Sequence, residues 1–484
     1  MEVKTKLGEI VGAEYVFDSP DALKPYSVDF SLTPPSPPNY VVQPKTTEEV
    51  QKVINLANEH KMPVIPSSSK VHFYGGTIPS QGGIILDLTR MNRILEIDEP
   101  DRKVRIEPGV TWSQIQAELS KIDGMIVSPL LPHPSRSVVT DFLEREVPLT
   151  ALFEYSEPLL GLGVIWPTGE IFRTGSASVP GYPDTPAKGL NFHGPGLDFC
   201  RLFQGAQGTM GVLTWANVKY EYRPKLNKCF FIPFTEVKDA VEPIYRIQRR
   251  MIGNECFLLN RHNLALILAD KWPDDFEVLR NTLPPWVVIL ILTGPRRRPE
   301  EKIEYEEEAL NEINSEFKGL DILPTLPGIP GIEKRLPDML RQPWPEGETY
   351  WRLRSKGGCA TIPFITVLEK TPGFIEAVSQ VAARYQYPTG EIGIYIQPID
   401  RARACHCEFT FYYSPDDQVE KDRITELYTE SARVLLEMEA LFTRPYGVLA
   451  DLVYSKTTEY AAALKKVKQV LDPNNIMCPG NLCF

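Results

Sequence analysis

The chain has no basic surplus: 52 Lys and Arg stand against 63 Asp and Glu, for a net charge of −11. That balance excludes the electrostatic footprint of a nucleic-acid or anionic-lipid binder and leaves a small molecule or another protein as partner. A disulfide framework is also missing, because the eight cysteines (200, 229, 256, 359, 405, 407, 478 and 483) are scattered without dense, regular spacing. Such usage fits a reducing compartment. The longest apolar run, residues 286–292, is far too short to span a bilayer, and the opening MEVKTKLGEIVGAEYVF carries neither a basic flank nor an apolar core. A cytoplasmic protein without a membrane span is expected. GxxxxGK(S/T), HExxH and GxSxG do not occur, so P-loop, zincin and α/β-hydrolase chemistry lack their residues. Gly161-Leu162-Gly163 runs into Val164-Ile165-Trp166-Pro167 with no third glycine, which reads as a strand start and not as a Rossmann turn.

What is present is ordinary for a globular chain: 484 residues, 43% hydrophobic and 24% charged. At about 150 residues per domain this makes two or three domains with packed cores. The 44 prolines exceed the usual share and call for many turns between short elements, against an all-helical design. Residues 40–110 alternate strand and helix: Thr46 or Thr47 can cap an amphipathic EEVQKVINLANEH, and MPVIP, IILDL, ILEID and VRIEPG follow as short strands. GLGVIWPTGEIFRTG reads as a hairpin turning at Thr168-Gly169. After Arg223-Pro224 apolar strands alternate with amphipathic helices, including one near 237–251, so a boundary is placed near residue 225. Residues 319–350 are rich in Pro and Gly and read as a long excursion at a domain or subunit interface. Helices are expected near 418–440 and 456–470.

The most informative stretch is MPVIPSSSKVHFYGGTIP, residues 62–79. A strand ends at Pro66, and small and polar residues follow as far as Gly75-Gly76. Loop amides unblocked by bulky side chains can converge on a diphosphate, although a plain surface Ser loop has the same composition. Farther on, Ala404-Cys405-His406-Cys407-Glu408-Phe409 lies in a strand, so Cys405, Cys407 and Phe409 face one way while His406 and Glu408 face the other. Four polar groups so arranged cannot meet on one ion, and no second ligand pair is found, so no metal site is expected.

The order PKTTEEVQKVINLANEHKMPVIPSSS, YGG, GGIILDLTRMNRILEID and VRIEPGVTW resembles the FAD-binding domain of the vanillyl-alcohol oxidase/p-cresol methylhydroxylase flavoproteins. GLGVIWPTGEIFRTG, GPGLDFCRLFQGAQGTMGVLT and the terminal LDPNNIMCPG continue the likeness. It is good over 40–223, fair over 440–484 and weak between. The resemblance implies an α+β chain: a PCMH-type FAD-binding domain of two α/β subdomains at 1–225, an α+β cap at 226–440, and a segment at 441–484 that returns to the FAD domain. It implies FAD held by the loop Pro66, Ser67, Ser68, Ser69, Lys70, Val71, His72, Gly75 and Gly76, and by Gly208, Gly211 and Val212. Ser137, Thr140 and Asp141 are further candidates for cofactor contact. Of the six histidines only His72 lies in the loop, one position from where loop-linked relatives need it, so dissociable FAD is expected.

The same resemblance suggests four catalytic candidates. Tyr74, in the YGG turn, corresponds to a residue that helps hold a phenolate; a tyrosine packed beside FAD is the alternative. Arg444 matches the arginine of a Tyr-Arg pair, with Thr443 in place of the tyrosine, and a guanidinium suits a phenolate or a carboxylate alike. Glu144 corresponds to an acid near flavin N5, although Glu144-Arg145 also reads as a charged helix start. His406 reads as an active-site hydrogen-bonding group or as a core histidine, with Gln397 where an earlier histidine would be expected. The expected activity is hydride transfer from a benzylic or alcoholic carbon, such as that of a para-substituted phenol or aromatic alcohol, to FAD, with electrons passed to a separate acceptor protein or molecule. Oxidation of a 2-hydroxy acid and a non-catalytic flavin-binding subunit are the alternatives. A homo-oligomer or a place in a redox complex is expected.

Overall fold

The computed structural model describes residues 2–152, 158–183, 189–317 and 320–484. Near the N-terminus a four-stranded sheet is ordered Val16–Phe17, Tyr40–Val42, Ile84–Asp87, Val64–Ser67, the last three parallel. Parallel neighbours need a crossover, and helix Thr47–His60 supplies it. The Thr46 hydroxyl accepts from the Glu49 amide at 3.2 Å, while the Glu49 carboxylate accepts from the Lys45 amide at 2.6 Å. With both ends of the first turn satisfied, Val50, Val53, Ile54 and Ala57 bury against the sheet. The C-terminal tail also joins this sheet: the Val64 amide donates to Ile476 and the Cys478 amide to the Val64 carbonyl. Buried Lys468 fixes the tail by donating to Asp472 and to the carbonyls of Thr209 and Met477.

A second, antiparallel sheet is ordered Ile94–Asp98, Lys103–Ile106, Val212–Lys219, Leu159–Ile165, Ile171–Arg173. Gly161 and Gly163 are inside its fully buried strand, and a Cβ at Gly163 would lie 2.0 Å from the Trp215 indole nitrogen. The glycine there makes room for an aromatic, as a strand reading requires. Helix Val138–Leu143 is capped by Ser137, whose hydroxyl accepts from the Thr140 amide and donates to the Pro108 carbonyl. Glu144 and Arg145 end this helix: Glu144 closes the last turn on the Thr140 carbonyl and Arg145 turns left-handed at φ 58. The expected charged helix start is thus corrected, because Ser137 is the stronger cap.

A six-stranded antiparallel sheet occupies the rest, ordered Leu226–Phe234, Trp286–Gly294, Glu255–Asn260, Gly393–Ile399, Ala404–Tyr413, Gly358–Thr366. One face packs on helices Lys238–Arg249, Pro299–Glu316, Thr371–Arg384 and Gln418–Glu437. Its other face packs on Arg261–Leu268, Asp274–Thr282 and Ile332–Leu340, and on Leu130 and Leu131 of the preceding region. Residue 319 of the expected excursion lies outside the described residues. The remainder is not loop throughout: it holds helix Ile332–Leu340, its Leu336, Leu340, Trp344 and Tyr350 bury into that core, and Tyr350 and the next residue, Trp351, both donate to the Leu131 carbonyl at 3.2 Å. Prolines mask that helix, and the aromatic residues after it, Trp344, Tyr350 and Trp351, bond Pro132 and Leu131 and so tie the large sheet to the first half of the chain.

Candidate active site

Helix Val138–Leu143 and a stacked pair of tyrosines separate two cavities. The rings of Tyr74 and Tyr446 lie 5.3 Å apart and 12° from parallel, Tyr446 on one cavity and Tyr74 on the other. A Cβ at Gly76 would fall 2.5 Å from the Tyr446 ring, so glycine is needed there for that ring to sit where it does.

The first cavity, about 780 Å³, is walled mostly by small or uncharged residues. Of the sequence candidates, Pro66, Ser68, His72, Gly76, Thr140, Glu144, Gly208 and Gly211 line it. The others stand behind the wall or apart from it. The Ser67 hydroxyl donates to the Ser69 carbonyl, and Ser69 is buried inside the loop. Lys70 is exposed over the Tyr26 ring, and the Val71 carbonyl accepts from Arg136. Gly75 donates to Asp29, Ser137 caps its helix, and Val212 sits in the core beneath. Asp141 faces the second cavity instead. His72 Nε2 meets the Ser67 hydroxyl at 3.1 Å and the Ser69 carbonyl at 2.5 Å, and burial, helped by Arg136, lowers its pKa to about 3, so the ring is neutral.

The second cavity, about 550 Å³, has aromatic walls in Phe73, Tyr350 and Tyr395 and a dense set of polar groups. Tyr74 donates to Glu146 at 2.8 Å, and Arg444, bonded to the same carboxylate, donates to the Tyr74 oxygen at 2.9 Å. Arg444 lies behind these two and is absent from the cavity wall. Arg352 bonds Glu408 at 2.5 Å, and His406 Nε2 lies 3.7 Å from the other Glu408 oxygen. Alternation along Ala404–Tyr413 places His406 and Glu408 on this wall and Cys405, Cys407 and Phe409 in the core. Gln397, across from His406, donates to the Pro148 and Thr150 carbonyls and so ties the large sheet to the segment carrying Glu146. Arg136 bonds both Asp141 and Glu144, and the Trp112 indole donates to Asp141 at 2.6 Å. Asp141, Glu144 and Glu146 bring oxygens within 4.8 Å of one another, a spacing a cation could use, yet each already bonds a guanidinium.

Burial and these pairings set the charges. Burial pushes the Tyr74 hydroxyl well above its ordinary value, beyond what Arg444 can offset, so it keeps its proton and donates. Burial works against ionisation of Glu146 and Glu408, yet Arg444 and Arg136 hold Glu146 low, and Arg352, with His406, holds Glu408 at about 2. Glu144 goes the other way: burial raises it to about 7 despite Arg136. Burial, with Arg136, lowers His133 to about 4. Glu146, Arg352, Glu408, Arg136 and the aromatic walls were not singled out from the sequence. Only Glu408 left a signal, through its alternation with His406.

Comparison with known proteins agrees with this architecture. The family description "FAD binding domain" matches residues 38–175, and "FAD linked oxidases, C-terminal domain" matches residues 223–482. The chain belongs to the FAD-linked oxidases, and its fold is that of the PCMH-type members. A glycolate oxidase subunit GlcD of Bacillus subtilis is 24% identical over 99% of this chain and 96% of its own length. The 4-cresol dehydrogenase (hydroxylating) flavoprotein subunit of Pseudomonas putida is 29% identical over 51% of this chain and 48% of its own. Among solved structures, p-cresol methylhydroxylase with substrate bound superposes at TM-score 0.85 with 19% identity, covering 100% of this chain and 96% of that one. The 4-ethylphenol oxidase of Gulosibacter chungangensis gives 0.86 with 21% identity, covering 99% and 96%. The protein is an FAD-linked oxidoreductase. Among the described residues no helix is long and apolar enough to cross a membrane.

The first cavity suits FAD. Pro66, Ser68, Gly76, Thr77, Thr140, Ala206, Gly208 and Gly211 leave room on its wall, and a Cβ at Gly208, where φ is +74, would come 2.8 Å from the Cys478 sulfur. Its wall brings hydroxyls from Ser68 and Thr140 and a single ionisable carboxyl, Glu144.

Proposed function

We propose that the protein oxidises the side-chain carbon of a para-substituted phenol or aromatic alcohol, with FAD in the first cavity and the substrate in the second. Ser68, Thr140, Gly208 and Gly211 would hold FAD, which when bound supplies a two-electron acceptor for the hydride. The observation that carries this reading is the coincidence of flat aromatic walls with the Tyr74–Glu146–Arg444 set. Phe73, Tyr350 and Tyr395 offer a substrate ring apolar surface to pack against. Tyr74 Oη, which keeps its proton, turns its one donor hydrogen from Glu146 to the phenolic oxygen, and ionised Glu146, freed of that donor, accepts the phenolic proton as the side-chain carbon loses hydride. Arg444 acts through Glu146, holding its carboxylate charged and in place. His406 and Glu408 lie on the same wall, where they orient water or an alcohol hydroxyl.

Oxidation of a 2-hydroxy acid competes, favoured by the full-length likeness to a glycolate oxidase subunit. Against it, Arg136, Arg352 and Arg444 each already carry a carboxylate, so a substrate carboxylate would have to displace one. FAD is held without a covalent bond on this reading, since the His72 ring is committed to its own loop. Electrons then pass to a separate acceptor. The test is anaerobic mixing of FAD-loaded protein with 4-ethylphenol, 4-hydroxybenzyl alcohol, D-lactate and glycolate. Flavin bleaching by the phenols supports the proposal; bleaching by the hydroxy acids alone overturns it.

A further inference from the structure

An open groove of about 920 Å³ lies against the back of the second cavity. Phe142, Val147, Pro148, Ile365 and Ile399 give it apolar sides, and Arg145 and Arg201 stand on its walls. Glu146 and Val147 line both the groove and the second cavity, so two consecutive residues form the partition between solvent and the aromatic walls. The groove is preformed. Arg145, held left-handed at the end of helix Val138–Leu143, donates to the Gln204 carbonyl at 3.0 Å, and its guanidinium packs where a Cβ at Gly205 would lie 3.1 Å away. Ile365 and Ile399 are half-buried at the ends of their strands, with side chains on the groove rather than in the core beneath. Arg145, Arg201, Gln204 and Thr443 line both this groove and an adjoining one of about 1170 Å³ that abuts the first cavity at Ala206 and Met210.

We propose that the 920 Å³ groove is the passage by which substrate reaches the second cavity, with Val147 and Glu146 as its threshold and Ile365 and Ile399 as its sides. This rests on the second cavity being the substrate site. A neutral, flat aromatic molecule suits apolar sides of this kind, and the shared wall residues Glu146 and Val147 distinguish this groove from the larger one, which shares no wall residue with the second cavity. A passage sets how fast a ligand arrives and leaves without changing how tightly it is held.

The test plugs the groove from residues outside the binding machinery. Association and dissociation of 4-bromophenol, which has no side-chain carbon to oxidise, are followed by stopped-flow through the spectrum of bound FAD. Ile399→Trp and Ile365→Trp should each slow both rates about tenfold and leave Kd within about twofold, because blocking a route lowers both rates together. Tyr460→Trp, in the larger groove, should change neither. Unchanged rates in both plugged variants, or slowing by Tyr460→Trp instead, would overturn the passage. Bleaching of the unsubstituted protein by 4-ethylphenol is measured alongside. If only hydroxy acids bleach it, the phenol reading fails by itself, and the passage is judged from the effect of the same variants on the bleaching rate with subsaturating D-lactate.

Discussion

The two cavities sit on opposite sides of one short helix and are built in opposite ways. The first is walled mostly by uncharged residues, many of them small, with Glu144 its one ionisable carboxyl; the second is lined by two guanidinium groups, Arg136 and Arg352, with a third, Arg444, just behind the wall, by their carboxylates, and by the rings of Phe73, Tyr74, Tyr350 and Tyr395. Helix Val138–Leu143 serves both, turning Thr140 and Leu143 to one side and Asp141 to the other. A large ligand can be recognised by backbone and space, whereas a small one needs a few charged or polar groups held in fixed positions. Such groups must have their charges compensated when buried, and here Arg136 and Arg352 on the wall, and Arg444 behind it, each bond a carboxylate.

The comparison breaks most visibly if the first cavity is filled. Thr77→Trp, at a half-buried wall position, should give colourless protein with an unchanged far-ultraviolet circular dichroism spectrum; yellow protein would show that FAD sits elsewhere. In the second cavity, Glu146→Gln should lower turnover about 10²–10⁴-fold, the range of a lost general base, while the protein stays yellow. A matching loss of flavin would mean that the two sites are not separate.

A smaller effect comes from the helix between them. Since burial raises the Glu144 carboxyl to about 7, the spectrum of bound FAD should change with a midpoint near that pH, and Glu144→Gln should abolish the transition. The sign for stability follows: the folded state favours the proton, so ionising Glu144 costs stability as pH rises from the ordinary carboxylate range through about 7, and Glu144→Gln removes that loss. Urea midpoints measured across this range check it. The smallest effect belongs to Lys70. Its ammonium lies over Tyr26, so Lys70→Ala should shift FAD binding by less than about 0.5 kcal/mol, as for a surface substitution, in a fluorescence titration.

The same contrast explains what could be read from the sequence. The first cavity is written in contiguous stretches, Pro66 to Gly76 and Gly208 to Gly211, where glycine and serine are needed for close backbone approach. Motif reading reaches such a site. The second cavity gathers Phe73 and Tyr74 from one loop, Arg136 and Glu146 from either end of a helix, Arg352 from a short turn just past the Pro-rich stretch, and His406 and Glu408 from a strand. No local pattern announces that Arg352 will face Glu408 or that Glu146 will bond both Tyr74 and Arg444, because those meetings are made by packing of the large sheet on the first half of the chain. Arg444 shows the limit well: the residue was legible, but its place behind Glu146 was not.

The most direct measurement is a crystal structure of the FAD-loaded protein soaked with an unreactive phenol. The account predicts FAD in the Ser68–Gly208 cavity and the phenol ring among Phe73, Tyr350 and Tyr395, its oxygen within hydrogen-bond reach of both Tyr74 and Glu146. A phenol absent from that cavity while FAD is present, or one whose oxygen points away from Tyr74 and Glu146, would contradict it.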